Sequence, residues 1–371
     1  MPPLTDTTNA TRTIRQLTDR GRAWIGAGRQ NTAVHPVRTR GDATLAVAIN
    51  LLIVYVLWGS TYLAIRVVVG TLPPFLAAAA RFLVAGVLLI GFVMAYARMR
   101  PSSGPMERPT WRHWRSALII GALLLFAGNG LVSQAEQHVD SGIAAVLIAA
   151  VPIWMNVIDA VVTRRRPSLL LVGGVLAGFV GILVLLAPMN GVASINALGV
   201  GLLVLASLSW AAGSIYSRHA PLPRSGLLFT GMEQLAGGVV LVVASLLVGE
   251  PGRLDWSHVS TASLLGVAYL IVFGSLVAFT AYTWLLAHAP VSTVATYAYV
   301  NPVVAVALGA LVLHEPITPR TLLASVLILG AVVAMVSGRP RDAEEAAQSS
   351  APELQPEAEP KPKARGGAIG Q

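Results

Sequence analysis

No cysteine occurs in the 371 residues. Disulfides, thiolate nucleophiles and cysteine zinc sites are therefore excluded, and the redox compartment stays open. Charge is scarce too: Asp, Glu, Lys and Arg make up 12% of the chain, where a soluble domain carries about a quarter. His-Glu-x-x-His, a Walker loop and Gly-x-Ser-x-Gly are all missing. Neither catalysis nor ATP-driven pumping is supported, and no cofactor and no metal is expected. Residues 1–43 lack the apolar core that a cleaved signal peptide needs.

What the chain has instead is apolar sequence. It is 55% hydrophobic with a mean hydropathy of +0.68. No aqueous core hides so much apolar surface, so the solvent for most of the chain is lipid. Ten spans are predicted, near 44–66, 75–97, 115–134, 141–163, 168–188, 196–217, 226–248, 260–285, 291–313 and 320–338. About 20 residues of α-helix cross roughly 30 Å of hydrocarbon, and lipid-exposed backbone must satisfy its own hydrogen bonds. The alternating polarity of a membrane β-barrel is missing. The expected fold is an all-α integral membrane protein of ten transmembrane helices, with disordered polar tails at 1–43 and 339–371.

The net charge of +9 is not a nucleic-acid signal, because the arginines gather on one side of the spans. Arg98, Arg100, Arg108, Arg112, Arg115, Arg164, Arg165, Arg166, Arg218 and Arg224 lie in even-numbered loops, and Arg29, Arg38, Arg40, Arg339 and Arg341 lie in the tails. Only Arg66, Arg253 and Arg320 fall on the other side. Fifteen against three is a strong positive-inside bias, which predicts a multi-pass cell-membrane protein with both termini cytoplasmic.

The chain also repeats itself. A shift of 150 lays Pro152 on Pro302, and a shift of 152 lays Trp58 on Trp210, Arg66 on Arg218 and Arg81 on Glu233. Residues 44–188 and 196–338 hold five spans each. An odd number of crossings turns the second copy upside down, as in secondary transporters that place one site at the midplane. The loop 163–168 keeps Arg164, Arg165 and Arg166, while its counterpart His314-Glu315-Pro316 has none.

At this point the residues match a family. Trp58-Gly-Ser-Thr-Tyr-Leu-Ala-Ile-Arg66, Gly128-Asn-Gly-Leu with Ala135-Glu136-Gln-His, Ser141-Gly-Ile-Ala-Ala-Val-Leu with Pro152, and Tyr297-Ala-Tyr-Val-Asn-Pro-Val-Val-Ala-Val306 resemble the EamA family of the drug/metabolite transporter superfamily. The resemblance runs from about 45 to 338. It implies ten helices in two inverted five-helix halves, a central cavity opened alternately to either side, and efflux of small organic molecules such as metabolites, amino acids or drugs. The arginine-rich N-terminus lies outside the family pattern.

The residues suggest where a substrate would sit. Pro152 and Pro302 each remove a backbone donor and free a carbonyl, that of Ile148 and of Ala298. Such groups at mid-depth must face protein or a wet cavity. Thr293, Tyr297 and Asn301 follow at i, i+4, i+8 along helix 9. Trp58, Ser60 and Tyr62 of helix 1, Asn129 of helix 3, and Trp210 and Ser214 of helix 6 complete the candidate cavity. Arg81, Glu136 and Glu233 are candidates for gating or coupling, since intramembrane charge avoids lipid. Direct pairing of Arg81 with Glu233 is not expected, because they sit at different depths. The small-residue pair Gly174 and Gly178 suits either internal packing or a dimer seam.

The expected partners are the bilayer, a small organic substrate and, as a coupling ion, protons. A passive facilitator of the same fold, or a scaffold or sensor acting through the tails, stays open beside the exporter. The inverted arrangement has a direct test, because a cysteine-free chain takes single reporter thiols cleanly. Arg165→Cys and His314→Cys should react with an impermeant maleimide from opposite faces of the membrane; reaction from one shared face would overturn the inversion.

Overall fold

A computed structural model describes residues 40–99, 107–163, 169–186, 196–289, 291–294 and 296–337. Both tails lie outside the described residues except for the few residues from Arg40, as does the loop holding Arg164, Arg165 and Arg166. The first helix begins at Arg40, inside the stretch expected to be a tail.

Among the described residues every regular element is helical. Helix α1 spans Arg40–Val68 and α2 spans Pro74–Met99. Helix α3 joins Trp111–Gly121, a π-helical segment Ala122–Gly130 and a last turn Leu131–Ala135. Helix α4 runs Ser141–Ile148, breaks, and resumes at Val151–Thr163. Then come α5 Leu169–Leu186, α6 Ala197–Ser217 and α7 Gly226–Leu247. Helix α8 repeats the design of α3: Thr261–Tyr269, a π-helical segment Leu270–Val277, and Ala278–His288. A short helix Val291–Val294 precedes α9 Tyr297–Val312, and α10 spans Pro319–Ser337. Seven of these stretches, in α1 to α4 and α6 to α8, are long and apolar enough to cross a membrane. The apolar runs in α5, α9 and α10, Val172–Val184, Val300–Val312 and Pro319–Ala334, are shorter.

Local chemistry explains several helix starts. Thr110 and His113 form a reciprocal capping box on α3, and Asn196, Ser225 and Ser260 each accept a backbone N–H at the start of α6, α7 and α8. Two helices are capped from a distance instead. Glu250 accepts from the Phe75 and Leu76 N–H groups of α2 at 3.1 and 2.8 Å. Glu315 accepts from the Ser141 and Gly142 N–H groups of α4 at 2.9 and 3.2 Å. Each carboxylate answers the positive end of a helix dipole. Each also follows the helix five positions on from the one it caps.

The packing partners come in matching sets. Helix α2 lies along α7, and α5 along α10. Helix α1 packs on α9 as α6 packs on α4; α3 packs on α6 and α7 as α8 packs on α1 and α2. Replacing every helix by the one five places away turns one set of contacts into the other. Two apolar clusters form the interior, one centred on α4, α6 and α10 with α5 packed against it, the other on α2, α3, α7 and α8. Large apolar side chains also cover the outside, Phe92, Leu169, Phe179, Leu247 and Val326 among them, as a lipid-facing surface requires. Gly178 abuts Ile153 of α4, which puts this small residue at an internal seam.

The remote caps generate a stability prediction. Glu250 is buried, so Glu250→Gln should lower thermal stability in detergent by roughly 1–3 kcal/mol, the worth of hydrogen bonds to a charged acceptor. Unchanged unfolding would show that the carboxylate does not hold α2.

Candidate substrate cavity

Helices of both sequence copies line one cavity that opens to solvent; its empty space, the open part included, is about 730 Å³. From α1 come Trp58, Thr61, Tyr62 and Ile65, from α2 Arg81, and from α3 Gly128 and Asn129. Ile148, Ala149 and Val151 of α4 face Trp210 and Ala206 of α6, Phe279 of α8, and Tyr297, Ala298, Asn301 and Pro302 of α9.

Interrupted backbone builds much of this wall. Proline lacks an N–H and pushes away the carbonyl four residues earlier. Those carbonyls belong to Ile148 and Ala298, and both residues line the cavity. The response differs between the two helices. Helix α4 breaks into a turn at Ala149 and Ala150, with the Ala150 N–H donating to Leu147 O at 3.2 Å. Helix α9 runs on through Pro302. It breaks further upstream, at Thr296, whose N–H donates to Thr293 O at 3.3 Å. The continuous stripe expected from Thr293 to Asn301 is therefore interrupted, and Thr293 stays off the wall.

Helix α9 is held against α1. At Gly59 a β-carbon would stand 2.7 Å from Val304 Cβ and 3.2 Å from Asn301 O, so only glycine permits this approach. With its amide nitrogen turned toward them, Asn301 donates to Tyr55 O and Tyr297 O, each at 3.2 Å. Asn301 thus both lines the cavity and ties the two helices together.

An aromatic cluster surrounds Trp58. Its ring lies 4.8 Å from Tyr282, 5.2 Å from Phe279, 5.3 Å from Tyr297 and 6.2 Å from Trp210, centroid to centroid. Three of these pairs are edge-on, the arrangement that ring quadrupoles favour. The Trp58 indole donates to Gly274 O at 3.3 Å. That carbonyl lies in the π-helical segment of α8, whose wider turn releases backbone groups from the i−4 ladder.

Of the predicted cavity residues, Trp58, Tyr62, Asn129, Trp210, Tyr297, Asn301 and Pro302 meet on the wall. Ser60, Pro152, Ser214 and Thr293 do not. The Ser60 hydroxyl is engaged by Leu57 O at 2.9 Å and by the Tyr269 hydroxyl at 2.6 Å. Pro152 is buried behind its own turn, and its carbonyl accepts from the Asn156 amide at 2.8 Å. The Ser214 carbonyl is occupied by Ser217 Oγ. Of the candidates for gating, Arg81 lines the cavity itself. Glu233 is buried on α7 away from the wall, with Oε1 accepting no hydrogen bond among the described residues. No ion pair joins Arg81 to Glu233 among the described residues. Thr61, Phe279 and the Tyr282 of the cluster escaped the sequence reading. Their periodicity matches that of any apolar helix face; Phe279 and Tyr282 follow the π-helical segment of α8, and Thr61 packs against Gly274 within that segment.

Glu136 lies just beyond the end of α3, fully buried, and neither carboxylate oxygen accepts a hydrogen bond among the described residues. The Arg66 guanidinium donates to its backbone carbonyl. Burial first, then the nearby Glu315 carboxylate, pushes the Glu136 carboxyl well above the usual carboxylate range, with Arg66 opposing. Asp140 is pushed upward by the same neighbours, burial again leading.

An all-helical, multi-pass membrane protein with a cavity between two like halves is the class these features define. The chain belongs to the EamA-like transporter family, which matches it twice, over residues 45–187 and 197–337. It is 39% identical over 290 residues to YedA of Escherichia coli (strain K12), named as an uncharacterized inner membrane transporter, covering 78% of this chain and 90% of YedA. It is 24% identical over 291 residues to the uncharacterized transporter YvbV of Bacillus subtilis (strain 168), covering 78% of this chain and 91% of YvbV. A WAT1-related chloroplastic protein of Arabidopsis thaliana is 24% identical over 304 residues, covering 80% of this chain and 69% of its own. One solved crystal structure shares the fold with a TM-score of 0.52 at 22% identity, covering 80% of this chain and 97% of its own. The protein is a membrane transporter.

The Glu136 environment sets a pH dependence. A carboxyl raised in the folded state holds a proton that the unfolded chain loses, so its stabilisation is present below the ordinary carboxylate range and declines as pH rises through the folded value. Thermal melts of the wild-type protein should therefore weaken with rising pH, and Glu136→Gln should flatten that trend. An identical pH profile in the variant would show that Glu136 is already ionised in the fold.

Proposed function

We propose that the protein exports small organic solutes by alternating access, through ten membrane-spanning helices arranged as two inverted five-helix halves with both termini cytoplasmic. One observation carries this reading: a single cavity receives side chains from both halves, and both proline-freed carbonyl residues, Ile148 and Ala298, lie on its wall. The exchange of packing partners between helices five apart supports the internal symmetry. The arginine distribution supports the orientation. Alternation then consists of one half rocking against the other around a fixed site. The break in α4, the break before α9 and Pro302 supply the hinge positions. Glu136, beside Arg66 and Glu315, is the candidate proton site at the predicted outer end.

Saturable substrate flux in sealed vesicles is the expected signature. Asn301→Ala and Tyr297→Ala should each lower it by about ten-fold or more, the loss of roughly 1.4 kcal/mol of interaction, at unchanged protein levels. Undiminished flux in both variants would overturn the site. Accumulation driven by an imposed pH gradient would exclude a passive facilitator of the same fold.

A further inference from the structure

Arg81 carries the one formal charge on the described cavity wall. It is 4% exposed. Its Nε donates to Ser275 Oγ at 2.8 Å, and its guanidinium carbon lies 4.6 Å from the centroid of the Phe82 ring. No carboxylate pairs with it among the described residues. A guanidinium offers five N–H donors in a rigid planar fork that suits two oxygens of one anion, and Ser275 takes a single one. The position is also built: a β-carbon at Gly274 would stand 2.9 Å from an Arg81 terminal nitrogen, so glycine leaves the room that the guanidinium occupies. The backbone around it is secured by the Gln234 amide, which donates to Ser275 O at 3.3 Å.

A buried cation without a counter-ion is unfavourable unless an anion completes it. The rest of the wall contains no acid, and Trp58, Trp210, Phe279 and Tyr297 offer apolar and π surface beside the charge. We propose that Arg81 binds the anionic group of the substrate, so that the cavity selects small organic anions, carboxylates on an apolar or aromatic body, against organic cations. This rests on the reading of the cavity as the transport site and names the chemistry it takes.

Three probes that share a ring and differ in head group test the idea: phenylacetate, phenylacetamide and phenethylamine. Binding to the full-length protein in nanodiscs is followed by tryptophan fluorescence. Phenylacetate should bind the wild-type protein at least ten-fold more tightly than the amide or the amine. Arg81→Gln should bring phenylacetate to the level of the amide, and Arg81→Lys should fall between, keeping charge but losing the fork. Ser275→Ala, which removes only the hydroxyl that orients the guanidinium, should weaken phenylacetate and leave the amide unchanged. Trp58→Ala should weaken every probe that binds. The proposal is overturned if the amide or amine binds the wild-type protein as tightly as phenylacetate, if phenylacetate fails to bind it, or if Arg81→Gln folds and retains full phenylacetate affinity. In the first and third of these cases, loss of binding in Trp58→Ala leaves the cavity standing and removes only the anion preference. Affinities untouched by Trp58→Ala remove the cavity reading as well.

Discussion

A backbone in lipid has no water to fall back on, so each N–H and carbonyl must find its partner within the protein. Regular helices meet that demand along most of this chain. The departures from regularity converge on one place. The turn at Ala149 and Ala150, the break at Thr296, Pro302 and the π-helical segment of α3 all put residues on the cavity wall or directly beside it. The π-helical segment of α8 contributes one layer out, through Gly274 O to Trp58 and Ser275 Oγ to Arg81. Irregular backbone is tolerable at membrane depth only beside a hollow or inside protein, and here it creates the hollow's polarity.

The two halves share a frame and differ in chemistry. Helices α3 and α8 carry π-helical segments, and α2 and α4 receive carboxylates from Glu250 and Glu315 after the helices five places on. Within that frame the side chains have diverged. Tyr297 and Asn301 correspond to Leu147 and Val151, so polar side chains face the cavity from α9 where α4 offers apolar ones and backbone. Arg81 corresponds to Glu233, yet the arginine lines the cavity and the glutamate is buried behind it. Under the proposed alternating access a symmetric scaffold suits a site reached from two sides, whereas a substrate without matching symmetry is recognised better by an asymmetric lining.

The aromatic cluster joins these themes. Trp58 contacts rings from α6, α8 and α9 at once, so it sits where the halves meet. Under the proposed alternating access, relative movement of the halves would slide these rings past one another. Edge-on pairs tolerate small displacements because their attraction comes from a broad quadrupole rather than from one directed bond.

Composition and periodicity by themselves determined a great deal here: an apolar, charge-poor chain has to be a helical membrane protein, and a duplicated pattern of prolines, tryptophans and spans has to yield two like halves. They also named most of the polar and aromatic residues that the structure puts on the wall, because an Asn, a Tyr or a Trp at mid-depth avoids lipid whatever it packs against. Only tertiary structure decided which way each polar side chain turned. Ser60 is held by Leu57 O and the Tyr269 hydroxyl and leaves the wall, as Ser214 does; Thr293 is separated from Tyr297 by a break in the helix; Thr61 and Arg81 pack against Gly274, and Phe279 follows the π-helical segment of α8. Helical phase is additive, so a one-residue bulge rotates everything beyond it by about 100°, and local sequence carries no mark of where the neighbouring helix will make that bulge favourable.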